Sequence, residues 1–332
     1  MKRVLAAIGA VAIAGCAGVQ SSLDPAADQA SIIAGVWTLM MWVCGVMGAL
    51  LLLFLVWALL RARRARDGAA DPLRHERGLS RGLHAWIGLI VVGLFVLALG
   101  SFLADRRLTA APAGDVLHVR ITGMQWWWQV EYPGAQPAQT VTTANELHLP
   151  LGRTADIELV TKDVIHSLWI PNLDGKQDLI PGRVNHLRVT PRRPGRLRGQ
   201  CAEFCGLQHA WMALDVQVED AAAFEAWRKH QLEPAKPPAS PEASDGARVF
   251  NDSACVMCHA ITGSDAYARS GPDLTHLAGR RTLAAGALPF SRGALTAWLI
   301  DPQRVKPGAH MPAVPLGDVQ REHLVDYLMT LE

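Results

Sequence analysis

Two long apolar runs constrain this chain before any other feature. No charged residue occurs from Ile32 to Leu60, and a second apolar run extends from about Leu83 to Ala104. A helix needs roughly 20 apolar residues to cross a bilayer, and each run is longer than that. Membrane spans are therefore expected at 32–60 and 83–104. Between them, residues 61–82 read "RARRARDGAADPLRHERGLSRG". A short arginine-rich loop of this kind stays in the cytoplasm, so both termini and everything after Ala104 are expected outside it. Half of the 332 residues are hydrophobic, and the spans account for the surplus. A formal net charge of +2 gives no reason to expect nucleic acid as a partner.

The chain opens "MKRVLAAIGAVAIAGCAG": Lys2 and Arg3, an apolar stretch too short to span, and small residues ending at Cys16. Residues 1–15 read as an export signal. The "IAGC" ending resembles the lipobox of bacterial lipoproteins, which implies lipidation of Cys16 and an exported segment over 16–31. The competing reading of Cys16 is an ordinary buried cysteine in an uncleaved helix.

Beyond Asp105 the pattern changes to short segments that alternate apolar and polar residues between Gly, Pro and Asn turns, such as "TADIELVT" and "MALDVQVED". This is the pattern of an all-β sandwich or barrel, here assigned to 105–230 and closed by a short helix, "AAAFEAWRKHQ". Residues 231–245 are rich in Pro, Ala and Ser without periodicity and read as a flexible, partly extended linker. From Gly246 to Glu332 the pattern is helical.

Exported thiols tend to oxidise unless a metal or cofactor occupies them. Of the six cysteines, Cys44 lies mid-membrane and reads as a small buried hydrophobe. Cys255 and Cys258 form "CVMCH", the pattern of covalent haem c attachment, with His259 following to ligate the iron. Met311, in "KPGAHMPAVP", is the candidate for the opposite haem face, with His310 as competitor. With "GPDL" and the final helix, residues 246–332 resemble a class I cytochrome c. That resemblance implies an all-α fold in which the Pro272 carbonyl holds His259.

"GQCAEFCGLQHAWM" gathers Cys201, Glu203, Cys205, His209 and Met212. A disulfide explains neither the histidine nor the methionine, and zinc has little use for a thioether. Thiolate, imidazole and thioether suit copper, and two thiolates on one loop can bridge two copper ions if a second histidine arrives. His166, in "TKDVIHSLWIP", is the candidate. Taken together, a histidine after "DVI" and then C-x-E-x-C-x3-H-x2-M closely resemble subunit II of haem–copper respiratory oxidases, which carries the binuclear CuA centre. The resemblance implies a two-helix transmembrane hairpin, a cupredoxin-like CuA domain and, with the cytochrome c fused behind them, a caa3-type arrangement. It further implies that Cys201 and Cys205 bridge the coppers, that His166 and His209 bind one copper each, and that Met212 and the Glu203 carbonyl are weak axial ligands. The Glu203 side chain would then serve a magnesium site shared with subunit I. "GMQWWWQVEYP" matches the family's aromatic segment and assigns electron entry to Trp126, while Trp127 and Trp128 read as sandwich core. Residues Gly175 to Arg183, "GKQDLIPGR", match a segment that faces subunit I. In one place the chain departs from the family. Leu83, three residues before Trp86, stands where many members carry a glutamate at the mouth of a proton path, which leaves His84 or Glu76 as alternative starting groups.

The resulting expectation is an electron-input subunit of a proton-pumping cytochrome c oxidase in a bacterial inner membrane, multi-pass, with both redox domains on the outer side. Electrons from cytochrome c or another donor would pass through haem c and CuA to subunit I, with subunit III a further partner. No residue is expected to act as acid, base or nucleophile, because the cofactors carry the chemistry. Two alternatives stay open on these residues: a CuA and haem c subunit of a nitric oxide reductase, and a free-standing membrane-anchored electron shuttle.

Overall fold

A computed structural model describes residues 17–64, 72–111 and 114–332. Cys16 and the leader before it lie outside the described residues. The chain divides into two compact units, one of residues 31–111 and one of the remainder.

The first unit is a helical hairpin. Helices α1 (Asp28–Arg64) and α2 (Pro72–Leu108) have 37 residues each. Both contain windows apolar enough to cross a membrane, with mean hydropathy 2.7. At 1.5 Å per residue each is about 55 Å long, well beyond the roughly 30 Å hydrocarbon layer. The helices therefore run past the apolar runs at 32–60 and 83–104: hydropathy reports depth in the bilayer, whereas arginine, leucine and glutamate carry a helix on past it. The two helices approach closely where Gly100 faces Leu39; a Cβ there would stand 2.5 Å from Leu39 Cδ2. Small residues at such crossings let helix backbones come together. Cys44 lies on an exposed face of the apolar helix α1.

The second unit begins with a β domain of ten strands: β1 (Val116–Met124), β2 (Trp127–Tyr132), β3 (Val141–Ala144), β4 (Glu146–Pro150), β5 (Thr154–Thr161), β6 (His166–Trp169), β7 (Gln177–Leu179), β8 (Asn185–Val189), β9 (Gly195–Cys201) and β10 (Ala213–Glu219). They form two five-stranded sheets, ordered β3-β2-β1-β5-β8 and β4-β10-β9-β6-β7. Alternate residues of β5, β9 and β10 point inward, as the period of a strand requires. Ile121, Trp128, Leu147, Ile157, Leu168 and Val216 meet between the sheets, fully buried. Residues 18–30, read from sequence only as an exported segment, are part of this domain. Asn172 donates to the Gly18 and Asp24 carbonyls, and Arg193 and Arg192 pair with Asp24 and Asp28. Helix α3 (Ala221–Gln231) starts at Asp220, whose carboxylate accepts from the Ala223 amide, and it buries Phe224.

The C-terminal helical domain starts earlier than periodicity suggested. Helix α4 (Pro241–Asp252) is capped by Ser240, whose hydroxyl accepts from the Ala243 amide, with proline in the first turn. The linker is thus 232–240 rather than 231–245, and it is tied down: the Ala235 amide donates to the Thr262 carbonyl, and His276 Nε2 lies 3.2 Å from the Glu233 carbonyl. Its backbone groups find tertiary partners, which a reading of composition as flexible coil could not show. Helices α5 (Arg292–Ile300) and α6 (Asp318–Leu328) complete the domain. Helix α4 crosses α6 at Gly246, where a Cβ would fall 1.9 Å from the His323 carbonyl oxygen. Phe250, Leu295, Leu324 and Leu328 form the core of the domain.

Candidate metal centre and adjoining cavity

Strand pairing brings the two halves of the metal-type cluster together. β6 runs antiparallel to β9 with Leu168 opposite Cys201, which sets His166, the first residue of β6, beside the end of β9. Residues 202–212 form the loop from β9 to β10, closed at its base where the Cys201 amide donates to the Met212 carbonyl. Within this loop Cys201 Sγ lies 3.7 Å from Cys205 Sγ, 3.9 Å from His166 Nδ1 and 3.2 Å from the Glu203 carbonyl oxygen. Cys205 Sγ lies 3.7 Å from His209 Nδ1 and 3.9 Å from Met212 Sδ. A disulfide requires about 2.05 Å between its sulfurs, so these are two free thiols. His166, Cys201, Cys205 and Met212 are buried, His209 is half-buried and Glu203 is exposed.

The electrostatics favour a cation. Contact with Cys205 and His166 outweighs burial and holds the Cys201 thiol well below its usual range, while the resulting thiolate drives Cys205 upward. Burial would lower His166, but its contacts with Cys201 and Asp163 raise it. Asp163 was not singled out in the sequence. Its carboxylate lies 2.8 Å from His166 Nε2 and accepts from the Gln125 amide at 2.6 Å. The available signal was an acidic residue three positions before a candidate ligand, since ligating histidines usually place their second nitrogen against a carboxylate or carbonyl.

The aromatic segment lies against the same loop. Trp126 is buried and donates its indole N–H to the Cys205 carbonyl at 3.0 Å, with Gln125 Nε2 donating to the same oxygen at 2.8 Å. Gly206 makes this approach possible: its φ of +114° suits glycine, and a Cβ would stand 3.1 Å from Trp126 Cζ2. Trp128 is fully buried beneath His166, its ring edge-on at 6.0 Å, while Trp127 is only half-buried.

A cavity of about 830 Å³ is lined by Cys255, Cys258, His259, Leu295, Met311 and Leu328 together with Trp126 and Trp127. His259 Nδ1 donates to the Pro272 carbonyl at 2.7 Å, which leaves Nε2 as the acceptor nitrogen. Burial lowers the His259 pKa and so keeps the imidazole neutral. Gly271 presses on this ring, since a Cβ there would stand 2.8 Å from His259 Cε1. Met311 lines the same cavity on a loop organised by Gln303, whose amide donates to the Ala309 and Met311 carbonyls. His310 is exposed, with its ring 5.8 Å from that of Trp126.

Residues 117–219 match the family model for the periplasmic domain of cytochrome c oxidase subunit II, and residues 243–332 match that for cytochrome c. The chain is 30% identical to cytochrome c oxidase subunit 2 of Alkalihalophilus pseudofirmus, over 96% of this chain and 94% of that protein. This chain belongs to the cytochrome c oxidase subunit II family. Subunit 2 of Bacillus sp. PS3 is 31% identical over 81% of the chain and 80% of its own. The solved periplasmic domain of subunit II from Bradyrhizobium japonicum is 28% identical, covers 37% of this chain and 96% of that one, and has a TM-score of 0.34. The fold class read from sequence holds for this subunit II: two apolar helices, a cupredoxin-like β domain and a helical cytochrome c domain. As a subunit II it is the electron-input subunit of a cytochrome c oxidase, with subunit I as partner, anchored by its apolar helices with the folded domains on the outer side. The nitric oxide reductase and free-shuttle alternatives are not favoured.

Proposed function

We propose that this subunit II accepts electrons at a haem c held by Cys255, Cys258, His259 and Met311, and delivers them through a binuclear CuA centre held by His166, Cys201, Cys205, His209, Met212 and the Glu203 carbonyl. One observation carries the reading: two free thiols, two imidazole nitrogens and a thioether converge at successive separations of 3.7–3.9 Å, beside an apolar cavity that contains a Cys-x-x-Cys-His motif. When bound, the two groups supply one-electron oxidation and reduction.

The chain's own residues hold and orient these groups. Asp163 aims His166 and Pro272 aims His259, each through the nitrogen turned away from the candidate ligand contact. Burial of Cys201, Cys205 and Met212 excludes water, which keeps the cost of rearranging solvent low. The contact between Trp126 and the Cys205 carbonyl supports its role as electron entry.

The segment Gly175 to Arg183 is the surface read as facing subunit I, and its residues serve as interface rather than chemistry. Exposure of Glu203 suits a magnesium site shared with that subunit. Subunit III, a cytochrome c or other donor, proton pumping and a two-span topology in a bacterial inner membrane complete the reading. Lipidation of Cys16 belongs to it as well, and a Cys16→Ser chain should lose labelling by a radioactive fatty acid.

The deciding experiment is electron paramagnetic resonance with metal analysis on the assembled, detergent-solubilised oxidase. A mixed-valence signal shared over two coppers, lost in Cys201→Ser while the haem c bands stay, is expected. A single-copper signal, or zinc at this loop, would overturn the copper assignment.

A further inference from the structure

Lys306 is 3% exposed, and among the described residues it forms no ion pair. Burying an ammonium group is costly unless every donor is met. Here all three are met by carbonyls: Trp126 at 2.7 Å, Trp211 at 2.7 Å and Ala284 at 2.9 Å. Two of these acceptors belong to the copper domain, and the lysine belongs to the cytochrome domain. The neighbouring contacts tell the same story. Gln208 donates to the Pro307 carbonyl at 2.6 Å, and the Ala213 amide donates to the Ala285 carbonyl at 2.9 Å.

The segment that supplies the Ala284 and Ala285 carbonyls is itself held in an unusual conformation. Ala284 and Ala285 have φ of 53° and 58°, in the left-handed region that residues with a Cβ adopt only where the surroundings over-determine it. Gly308, at φ +84°, brings the loop against Trp126 and Leu207, where a Cβ would stand 2.9 Å from Leu207 Cδ2. His310 and Met311 follow on the same loop.

We propose that Lys306 is a docking pin that fixes the register of the cytochrome domain on the copper domain, holding the loop 306–311 against Trp126 so that electron transfer runs from a pre-docked pair. The inference rests on the assignment of the two cofactor sites in the preceding section. Its physical core is selectivity. A shift of the domains by one residue would leave a buried ammonium and two carbonyls unpartnered, so misdocked arrangements are penalised far more than the docked one is favoured. Lys306 is a positioning residue; the transfer it serves moves one electron, with no bond made or broken and no proton moved. The fused cytochrome is then a fixed conduit rather than a tethered carrier that searches for its site.

The test is made on the assembled oxidase, in wild type and in Lys306→Met, which keeps the stem of the side chain and removes its donors. Flash photoreduction of the haem c reads the transfer rate to the copper site. Hydrogen exchange of the peptides containing Ala213 and Ala285 reads docking independently of activity. Wild type is expected to transfer at a rate independent of solvent viscosity. In Lys306→Met the rate should fall by about tenfold or more, as small misplacements in a reacting pair do. It should also become viscosity-dependent, and exchange at Ala213 should speed up. Haem potential and copper resonance, recorded in the same samples, should not change; their loss would count against the cofactor assignments instead. An unchanged rate and unchanged exchange in Lys306→Met would overturn the proposal. So would a wild-type rate that falls with viscosity, and that arm decides the matter if the variant fails to assemble.

Discussion

Asp163 holds His166 from behind: its carboxylate lies 2.8 Å from His166 Nε2, while Nδ1 faces Cys201 at 3.9 Å. The same carboxylate accepts from the Gln125 amide, one residue before Trp126, so a single side chain ties the candidate copper ligand to the aromatic segment.

Removing that support should loosen the metal without dismantling the domain. Asp163→Ala is expected to weaken copper retention by about 10–100-fold, the usual effect of losing a partner that orients a ligand. Chelator competition, followed by the copper resonance, measures it. Retention equal to wild type would show that His166 is oriented by the strand alone.

Gly271 plays a comparable steric part at the haem site. Gly271→Ala places a methyl group 2.8 Å from His259 Cε1, and overpacking of this kind costs about 1–3 kcal/mol. The expected result is a displaced His259, seen as an altered low-spin haem spectrum and a lower unfolding temperature. Gly279→Ala, where nothing lies within 4 Å, should leave both unchanged and serves as the control.

Met311→Ala should lower the haem potential, because a thioether ligand stabilises the ferrous state and its loss removes that bias. The copper resonance should be unaffected. A redox titration that finds the same potential in the variant would show that Met311 does not hold the haem, with exposed His310 the competing candidate.

His148 makes the β domain sensitive to alkaline pH. Burial would depress its imidazolium, but Glu146 and Glu219 outweigh this and push the pKa up to about 9 from 6.5. Trp227 stacks on the ring at 4.0 Å, and Arg280 approaches Glu146 at 3.6 Å from the cytochrome domain. A folded pKa above the unfolded one means the contribution is complete below pH 6.5 and is lost as pH rises through about 9. Tryptophan-monitored unfolding should therefore show stability falling across that window in wild type, and a shallower fall in His148→Gln. Equal slopes would show that the Glu146–His148–Glu219 cluster is not the titrating element.

The chemistry of this chain was legible in its local residue patterns. Membrane anchoring, the haem motif, the cysteine–histidine–methionine loop and the alternation of the sandwich strands all depend on residues close in sequence. Bilayer thickness, strand period and ligand spacing each impose a short-range rule that a linear chain must obey. His166 and Met311 were the distant ligand candidates found; His166 came through its "DVI" context, and pairing of β6 with β9 places it against Cys201.

What local pattern could not reveal is what long-range contact decides. Helix ends ran past the apolar windows, since hydrogen bonding and not hydropathy terminates a helix. Residues 18–30 joined the β domain through Asn172, Arg192 and Arg193, about 150 positions away in sequence. The linker, flexible by composition, is pinned by Thr262 and His276. Lys306, ordinary in sequence, is buried because three carbonyls from distant segments converge on it. Composition specifies which groups can bind metal and cross a membrane. Only the folded chain decides which buried donors find acceptors, because that satisfaction depends on residues that meet nowhere but in three dimensions.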